Sequence, residues 1–275
     1  MFRQLTTQTS ISMSDLPGGV GLSHLTVYPA SGSPHMHLAC TEAYVVISGS
    51  GMVQTLTLRG YQETPLQTGA VVWFPPGTIH RLVNEGELKL VVLMQNSGLP
   101  EAGDAVLTFP PEHLATTEAY AKAAALPPAT LGRWPGPEGQ AERDQLPGTG
   151  SAVGACPLDD YLAPALVRRE LAVQGFERLR DSAVDGDFAP LRQFHAAAVK
   201  LVAPQIDVWR DRWQQGALRA ARATGSHIDD LAAGRAPHLS EADVFELLEP
   251  TETNRRGMCG LLNTYLIDRF LSVSN

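Results

Sequence analysis

Along the first hundred residues, apolar and polar positions alternate in short runs broken by glycine and proline. Residues 21–28, 43–47, 52–58, 71–74 and 88–94 each carry the two-residue period or the short apolar run of a strand. Ser48-Gly49-Ser50-Gly51 falls between the second and third runs and predicts a turn that makes them a hairpin. On 52–58, Met52, Gln54, Leu56 and Leu58 share one face, and its apolar bias predicts that it points inward. Gln54 would then be a polar group in an apolar interior, in need of a partner or a ligand. Several short strands with no helix between them predict a sandwich or closed barrel rather than a parallel α/β sheet.

The pattern changes beyond Gly98. Five prolines between positions 100 and 128 mark a transitional region with one candidate helix, 114–125. Residues 132–155 are rich in glycine and proline and read as a long loop or linker. After it the period lengthens to that of a helix over 159–179 and 188–223, with Pro204 expected to kink or split the second. Trp209 and Trp213, one turn apart, predict an apolar stripe for packing, for an interface or as a lid over the barrel mouth. Ser240 is placed as an N-cap, with Asp243 three residues on, for a helix carrying Val244, Phe245, Leu247 and Leu248. The expected division is a barrel over 1–105, a transitional segment and long loop over 106–155, and a helical region over 156–275.

Composition narrows the function. The 275 residues are 44% hydrophobic and 18% charged, which is globular rather than disordered, and the formal net charge is −8. That charge disfavours nucleic acid as a main partner, which would want a basic stripe, and gives no reason to expect attraction to anionic membranes. No run of 18 apolar residues and no apolar leader is seen, so a soluble cytoplasmic protein is expected. Cys40, Cys156 and Cys259 are odd in number and far apart, with no disulfide framework or redox pair; Cys40 is expected to be a half-buried neighbour of the histidine strands.

The chemistry concentrates in two segments. His35 and His37 stand two apart on a predicted strand, so both rings leave the same face. Two imidazoles side by side are poor core fillers, and a shared divalent metal accounts for both. Glu42 adds an anionic oxygen, but its odd spacing from His37 requires a turn or bulge to aim it inward. His80 follows the rigid Pro75-Pro76-Gly77 turn, which can bring a distant strand back to the same place.

These residues resemble the two motifs of the cupin superfamily. The first, G-x5-H-x-H-x3,4-E-x6-G, reads here as His35, His37, Glu42 and Gly49, with Pro29 where the opening glycine is expected. The second, G-x5-P-x-G-x2-H-x3-N, is complete as Gly69, Pro75, Gly77, His80 and Asn84. The resemblance covers roughly residues 20–96. It implies a double-stranded β-helix, the jelly-roll cupin barrel, followed here by a mainly α-helical region. It also implies one divalent transition metal (Fe, Mn, Ni, Zn or Co) held by His35, His37, Glu42 and His80, with open positions for water or substrate. Tyr44, Gln54 and His24 are candidate catalytic residues, with Tyr28, Trp73, Phe74, Met94 and Gln95 as further candidates for the pocket lining; in residues 22–28 parity leaves either face to be the inner one, so His24 and Tyr28 stay open. Few basic residues lie on these strands, so a clamp for an anionic substrate would have to come from Arg81 or from the C-terminal region. The reading is a metal-dependent enzyme on a small organic molecule, with dioxygenase-like or Lewis-acid chemistry. A non-catalytic small-molecule sensor or binding module and a sugar isomerase or epimerase are the alternatives, and a homodimer is expected.

Overall fold

The computed structural model describes residues 16–127, 157–243 and 249–265. The predicted 132–155 loop, Cys156 and the predicted helix residues Val244, Phe245, Leu247 and Leu248 lie outside them. Among the described residues, nine antiparallel strands make one sheet. They are β1 (Gly21–Val27), β2 (His35–His37), β3 (Glu42–Thr57), β4 (Gly60–Gln67), β5 (Val71–Phe74), β6 (Ile79–Met94), β7 (Ala105–Leu107), β8 (Glu252–Arg256) and β9 (Gly260–Thr264). The ladders run in the order β4-β3-β6-β1-β9-β8, with β2 joining β6 and β7 and with β5 joining β3; among the described residues this path does not close into a ring.

The two 16-residue strands β3 and β6 are the spine. Ser48-Gly49-Ser50-Gly51, predicted as a hairpin turn, is instead a run of register shifts inside one continuous β3. Gly49 sits at φ 79°, and a Cβ there would come within 2.3 Å of the Gly86 carbonyl oxygen, so only glycine allows this close crossing. The shifts also reset the alternation. Val53 becomes fully buried, whereas Met52 and Gln54 are half-buried, and the real hairpin partner of the strand's second half is β4. Leu56 is buried as expected, but Leu58 is exposed.

The helices follow the predicted spacing with local corrections. The 114–125 helix is two short ones, α1 (Pro111–Leu114) and α2 (Thr117–Ala124), and the Thr116 hydroxyl accepts from the Ala119 N–H to cap the second. Then come α3 (Pro157–Val184), α4 (Ala189–Val202), α5 (Ile206–Trp213) and α6 (Arg219–Ala232). Pro204 splits α4 from α5 through a short 3-10 turn, since it has no N–H for a helical bond. Ser240 is not an N-cap; it lies inside a 3-10 turn, Pro237–Glu241, with its hydroxyl donating to the Pro237 carbonyl. The largest correction is at the C-terminal end. Residues 252–264, expected to be helical, form the β8–β9 hairpin, and β9 pairs with β1 along the barrel edge.

Helix and barrel meet at a tight seam. A Cβ on Gly175 of α3 would lie 1.9 Å from the Thr108 carbonyl oxygen, and the Thr108 hydroxyl bridges the Ala172 and Pro34 carbonyls. Phe176 is fully buried there, near Tyr61 of β4. One hydrophobic core therefore runs from barrel residues such as Val53 and Leu82 into Phe176, Leu191 and Phe194 of the helices.

Candidate metal centre

His35 and His37 leave the same side of β2, and the pairing of His35 with His80 across the β2–β6 ladder sets the third imidazole beside them. Glu42 opens β3 after a bend at residues 38–39, which supplies the re-aiming that its odd spacing demanded. All four side chains are buried, and one donor atom from each lies within 4.8 Å of the others.

Each imidazole is held from behind. The Nδ1–H of His35 donates to the Ser33 carbonyl at 2.9 Å and that of His80 to the Thr78 carbonyl at 3.2 Å. Carbonyls only accept, so Nδ1 carries the proton and Nε2 of the neutral ring presents a lone pair. These two Nε2 atoms are 3.1 Å apart, and Glu42 Oε2 lies 3.0 Å from His80 Nε2 and 3.5 Å from His37 Nε2. Lone pairs and a carboxylate oxygen packed this closely repel one another unless a cation or proton lies among them. Glu42 Oε2 is buried without a hydrogen-bond partner among the described residues; its short approaches to the rings lack bonding geometry. Ligands about 2.1 Å from a shared ion are separated by roughly 3.0 Å at right angles and roughly 3.4 Å at the tetrahedral angle. The observed spacings fit that donor set.

His37 has a different support. Its Nδ1–H donates at 3.1 Å to Oδ2 of Asp104, a fully buried carboxylate just before β7. The other oxygen, Oδ1, accepts from the N–H groups of Leu38 and Ala39 at 3.1 and 2.7 Å. One carboxylate thus orients a ligand and fixes the bend that aims Glu42. Burial works to lower the His37 pKa, but the hydrogen bond to Asp104 and the nearby Glu42 carboxylate outweigh it and raise it to about 9. A metal arriving there would displace that proton. Burial also opposes charge on Glu42, yet the His80 and His37 imidazoles beside it hold it well below the usual carboxylate range. Burial, and then the neighbouring imidazoles His80 and His37, push His35 well down, so it stays neutral and able to ligate. Asp104 escaped the sequence reading because it belongs to neither motif. Its only signal is an acid at the mouth of the apolar run Ala105-Val106-Leu107.

The other candidates separate. Tyr44 is fully buried behind the ligands, its ring 6.3 Å from that of His80, and burial followed by the Glu42 charge raises its pKa well up, so it is a neutral phenol and not a base. Its hydroxyl has no hydrogen-bond partner among the described residues. Gln54 is not in the interior: its amide donates to Glu63 on β4 at 3.0 Å, as the reset of alternation in β3 requires. His24 is exposed on β1, edge-on to the Tyr265 ring at 5.5 Å, and does not reach the ligands. Phe74 packs 4.4 Å from His80, whereas Trp73 points to solvent. Asn84, the last residue of the second motif, is structural: its amide donates to the Val27 and Tyr28 carbonyls, and its oxygen accepts from the N–H groups of Gly86 and Leu88. Cys40 is fully rather than half-buried.

A cavity of about 330 Å³ opens beside the ligands and includes His35, His37 and Glu42 in its wall. Leu25, Val92 and Met94 form part of its apolar side, whereas Arg168, Arg255, Arg256 and Cys259 reach it from the C-terminal half. Arg81 takes no part; it lies against Ser31 and Gln54. Gly32 makes the approach of the C-terminal turn feasible, because a Cβ there would lie 2.7 Å from Cys259 Cα. Cys259 Sγ then rests 3.9 Å from His35 Nδ1.

Comparison with known proteins bears on the barrel. Residues 23–95 match the family model described as a cupin domain. No curated protein sequence matches the chain. Among solved structures, a protein described as a predicted oxalate decarboxylase from Thermotoga maritima is 21% identical over 27% of this chain and 64% of its own, with a TM-score of 0.24. The capsular polysaccharide assembling protein CapF from Staphylococcus aureus is 23% identical over 34% of this chain and 29% of its own, with a TM-score of 0.28. A Cupin 2 conserved barrel domain protein from Salinispora arenicola is 19% identical over 35% of this chain and 76% of its own, with a TM-score of 0.26. The chain thus spans less than two thirds of the first two. Among the described residues no helix is long and apolar enough to cross a membrane.

Proposed function

We propose that the cupin domain at residues 23–95 carries a mononuclear metal centre, with His35, His37, Glu42 and His80 as ligands, and that the chain is a metal-dependent enzyme acting on a small organic molecule. The observation that supports this is the convergence of three imidazole nitrogens and an unpartnered buried carboxylate oxygen within 4.8 Å of one another, with Glu42 Oε2 3.0 and 3.5 Å from His80 and His37 Nε2 and the His35 and His80 Nε2 atoms 3.1 Å apart. Three imidazoles and one carboxylate suit iron, manganese, cobalt, nickel or zinc. A divalent ion bound there supplies Lewis acidity toward a substrate oxygen and, if it is iron or manganese, one-electron chemistry.

The chain's own residues have separate tasks. Ser33, Thr78 and Asp104 fix the ring orientations from behind, so the ligands need little reorganisation on binding. Leu25, Val92 and Met94 give the substrate an apolar wall. Tyr44 keeps its proton and serves as a neutral neighbour to Glu42. Elemental analysis of protein purified without added metal, repeated on His35→Ala and His80→Ala, tests the centre: near-stoichiometric metal in the parent and its loss in both variants is expected. Full retention in both variants sinks the four-ligand assignment.

A homodimer through the outer barrel face is part of this reading. Ile47, Val71 and Trp73 on the paired strands β3 and β5 are 46, 55 and 69% exposed, a cluster that a second copy would cover.

A further inference from the structure

The cavity wall has an unusual charge for an acidic chain. Three arginines reach it, against two glutamates, and one of those, Glu42, belongs to the ligand set. None of the three lies on the barrel motifs. Arg168 comes from α3, and Arg255 and Arg256 come from β8.

Their hydrogen bonds show how they are held and what they have left to give. Arg168 is fastened by donating to the Ala124 and Gly257 carbonyls at 3.3 and 2.6 Å, and its Nε is buried with no partner among the described residues. Arg256 donates to the Tyr161 and Pro127 carbonyls at 3.1 and 2.7 Å and lies over the Tyr161 ring. All four acceptors are neutral, so neither guanidinium meets a carboxylate among the described residues. Arg255 differs. Its only acidic neighbour there is Glu252, with Nε 3.1 Å from Oε2, and its two terminal nitrogens have no protein partner among the described residues. Two anchored cations and one with free donors thus share a wall with the metal ligands. The tie to the centre is short: Arg168 holds the Gly257 carbonyl, two residues before Cys259, whose sulfur touches His35.

We propose that Arg255, backed by the fixed charges of Arg168 and Arg256, makes this side of the cavity a binding site for the carboxylate of a small organic anion whose other end faces His35, His37 and Glu42. The proposal rests on the metal-centre reading for what the far end of the ligand meets, but the arginine side stands on its own contacts. The two free terminal nitrogens of Arg255 form a planar fork that matches the oxygen pair of a carboxylate. A volume of about 330 Å³ is at the small end for ligand sites, which limits the guest to a compact molecule. Positive potential within a low-dielectric cleft of an acidic protein also draws small anions inward.

Titration calorimetry on the full chain, with bound metal measured on the same samples, tests this with succinate and its neutral counterpart succinamide. Succinate is expected to bind at least about tenfold more tightly than succinamide, since a charge-assisted pair is replaced by a neutral one. Arg255→Gln is expected to weaken succinate by about tenfold with metal content unchanged, and Glu252→Gln, which frees Arg255, to tighten it by roughly two- to fivefold. Equal binding of the two probes, wild-type succinate affinity in Arg255→Gln, or inorganic phosphate outcompeting succinate overturns the carboxylate site. The two readings fail separately. Metal-free protein that still prefers succinate and still loses it in Arg255→Gln keeps the arginine site and discards the metal. Fully loaded protein with no such preference does the reverse.

Discussion

At one end of the cavity, four ligands sit on or beside neighbouring barrel strands, and each imidazole is braced by an acceptor two residues away or by one buried carboxylate. At the other end, guanidiniums arrive from α3 and from β8, elements that reach the barrel through long-range contacts such as the β9 pairing, the Gly175 seam and the Arg169 bonds to the Pro29 and Ser31 carbonyls. The first end is rigid because short-range geometry dictates it: an alternating strand, a bend and a proline-glycine turn. The second is an assembly of long-range contacts, so its shape depends on how well helix, hairpin and barrel fit. The barrel thus carries the four candidate donors, and the appended half contributes the arginines of the cavity wall.

Removing His80 should produce the largest difference between the two ends. His80→Ala deletes a ligand outright, and elemental analysis should find most of the metal gone while the far-ultraviolet circular dichroism stays that of the parent. Asp104→Asn comes next. It keeps an oxygen for the Leu38 and Ala39 N–H groups but weakens the support of His37, and competition against a chelator should show metal affinity reduced about 10- to 100-fold. An unchanged affinity would mean that the β2 backbone alone orients that ring.

Gly175→Ala strikes the seam instead. A methyl placed 1.9 Å from the Thr108 oxygen forces α3 away from the barrel, and urea denaturation should show roughly 1–3 kcal/mol of lost stability. If the two halves were independent, the barrel would not register the change. The smallest effect is expected from Arg255→Gln on stability. Its ion pair with Glu252 is half-exposed and screened by solvent, so the denaturation midpoint should shift by an equivalent of no more than about 0.5 kcal/mol. A larger loss would make Arg255 a structural strut. On the outer face, Trp73→Glu should convert a dimer to monomer in sedimentation velocity without altering metal content.

Much of the barrel was legible in local patterns. His35 and His37 share a face because a strand alternates, Gly77 reverses the chain because it accepts positive φ, and Pro204 breaks a helix because it lacks an N–H. Gln54 was misread for an equally physical reason. The apolar bias of Met52, Leu56 and Leu58 points that face inward, whereas the register shifts within the continuous β3 bury Val53 and turn Gln54 outward. His24 was ambiguous because both faces of β1 carry apolar residues, and nothing local says which of them β9 and the barrel will cover.

The sequence by itself determined the four candidate donors and the common face of His35 and His37, since two-residue periodicity and a proline-glycine turn act over a few bonds. Only the tertiary structure decided that Asp104 braces His37, that Cys259 lies against His35, and that Arg168, Arg255 and Arg256 complete the cavity. Those pairings join residues 67 to 224 positions apart in the cases of His37 with Asp104 and His35 with Cys259. No periodicity spans such distances; close packing of helix, hairpin and barrel brings them together, and that is a property of the folded whole.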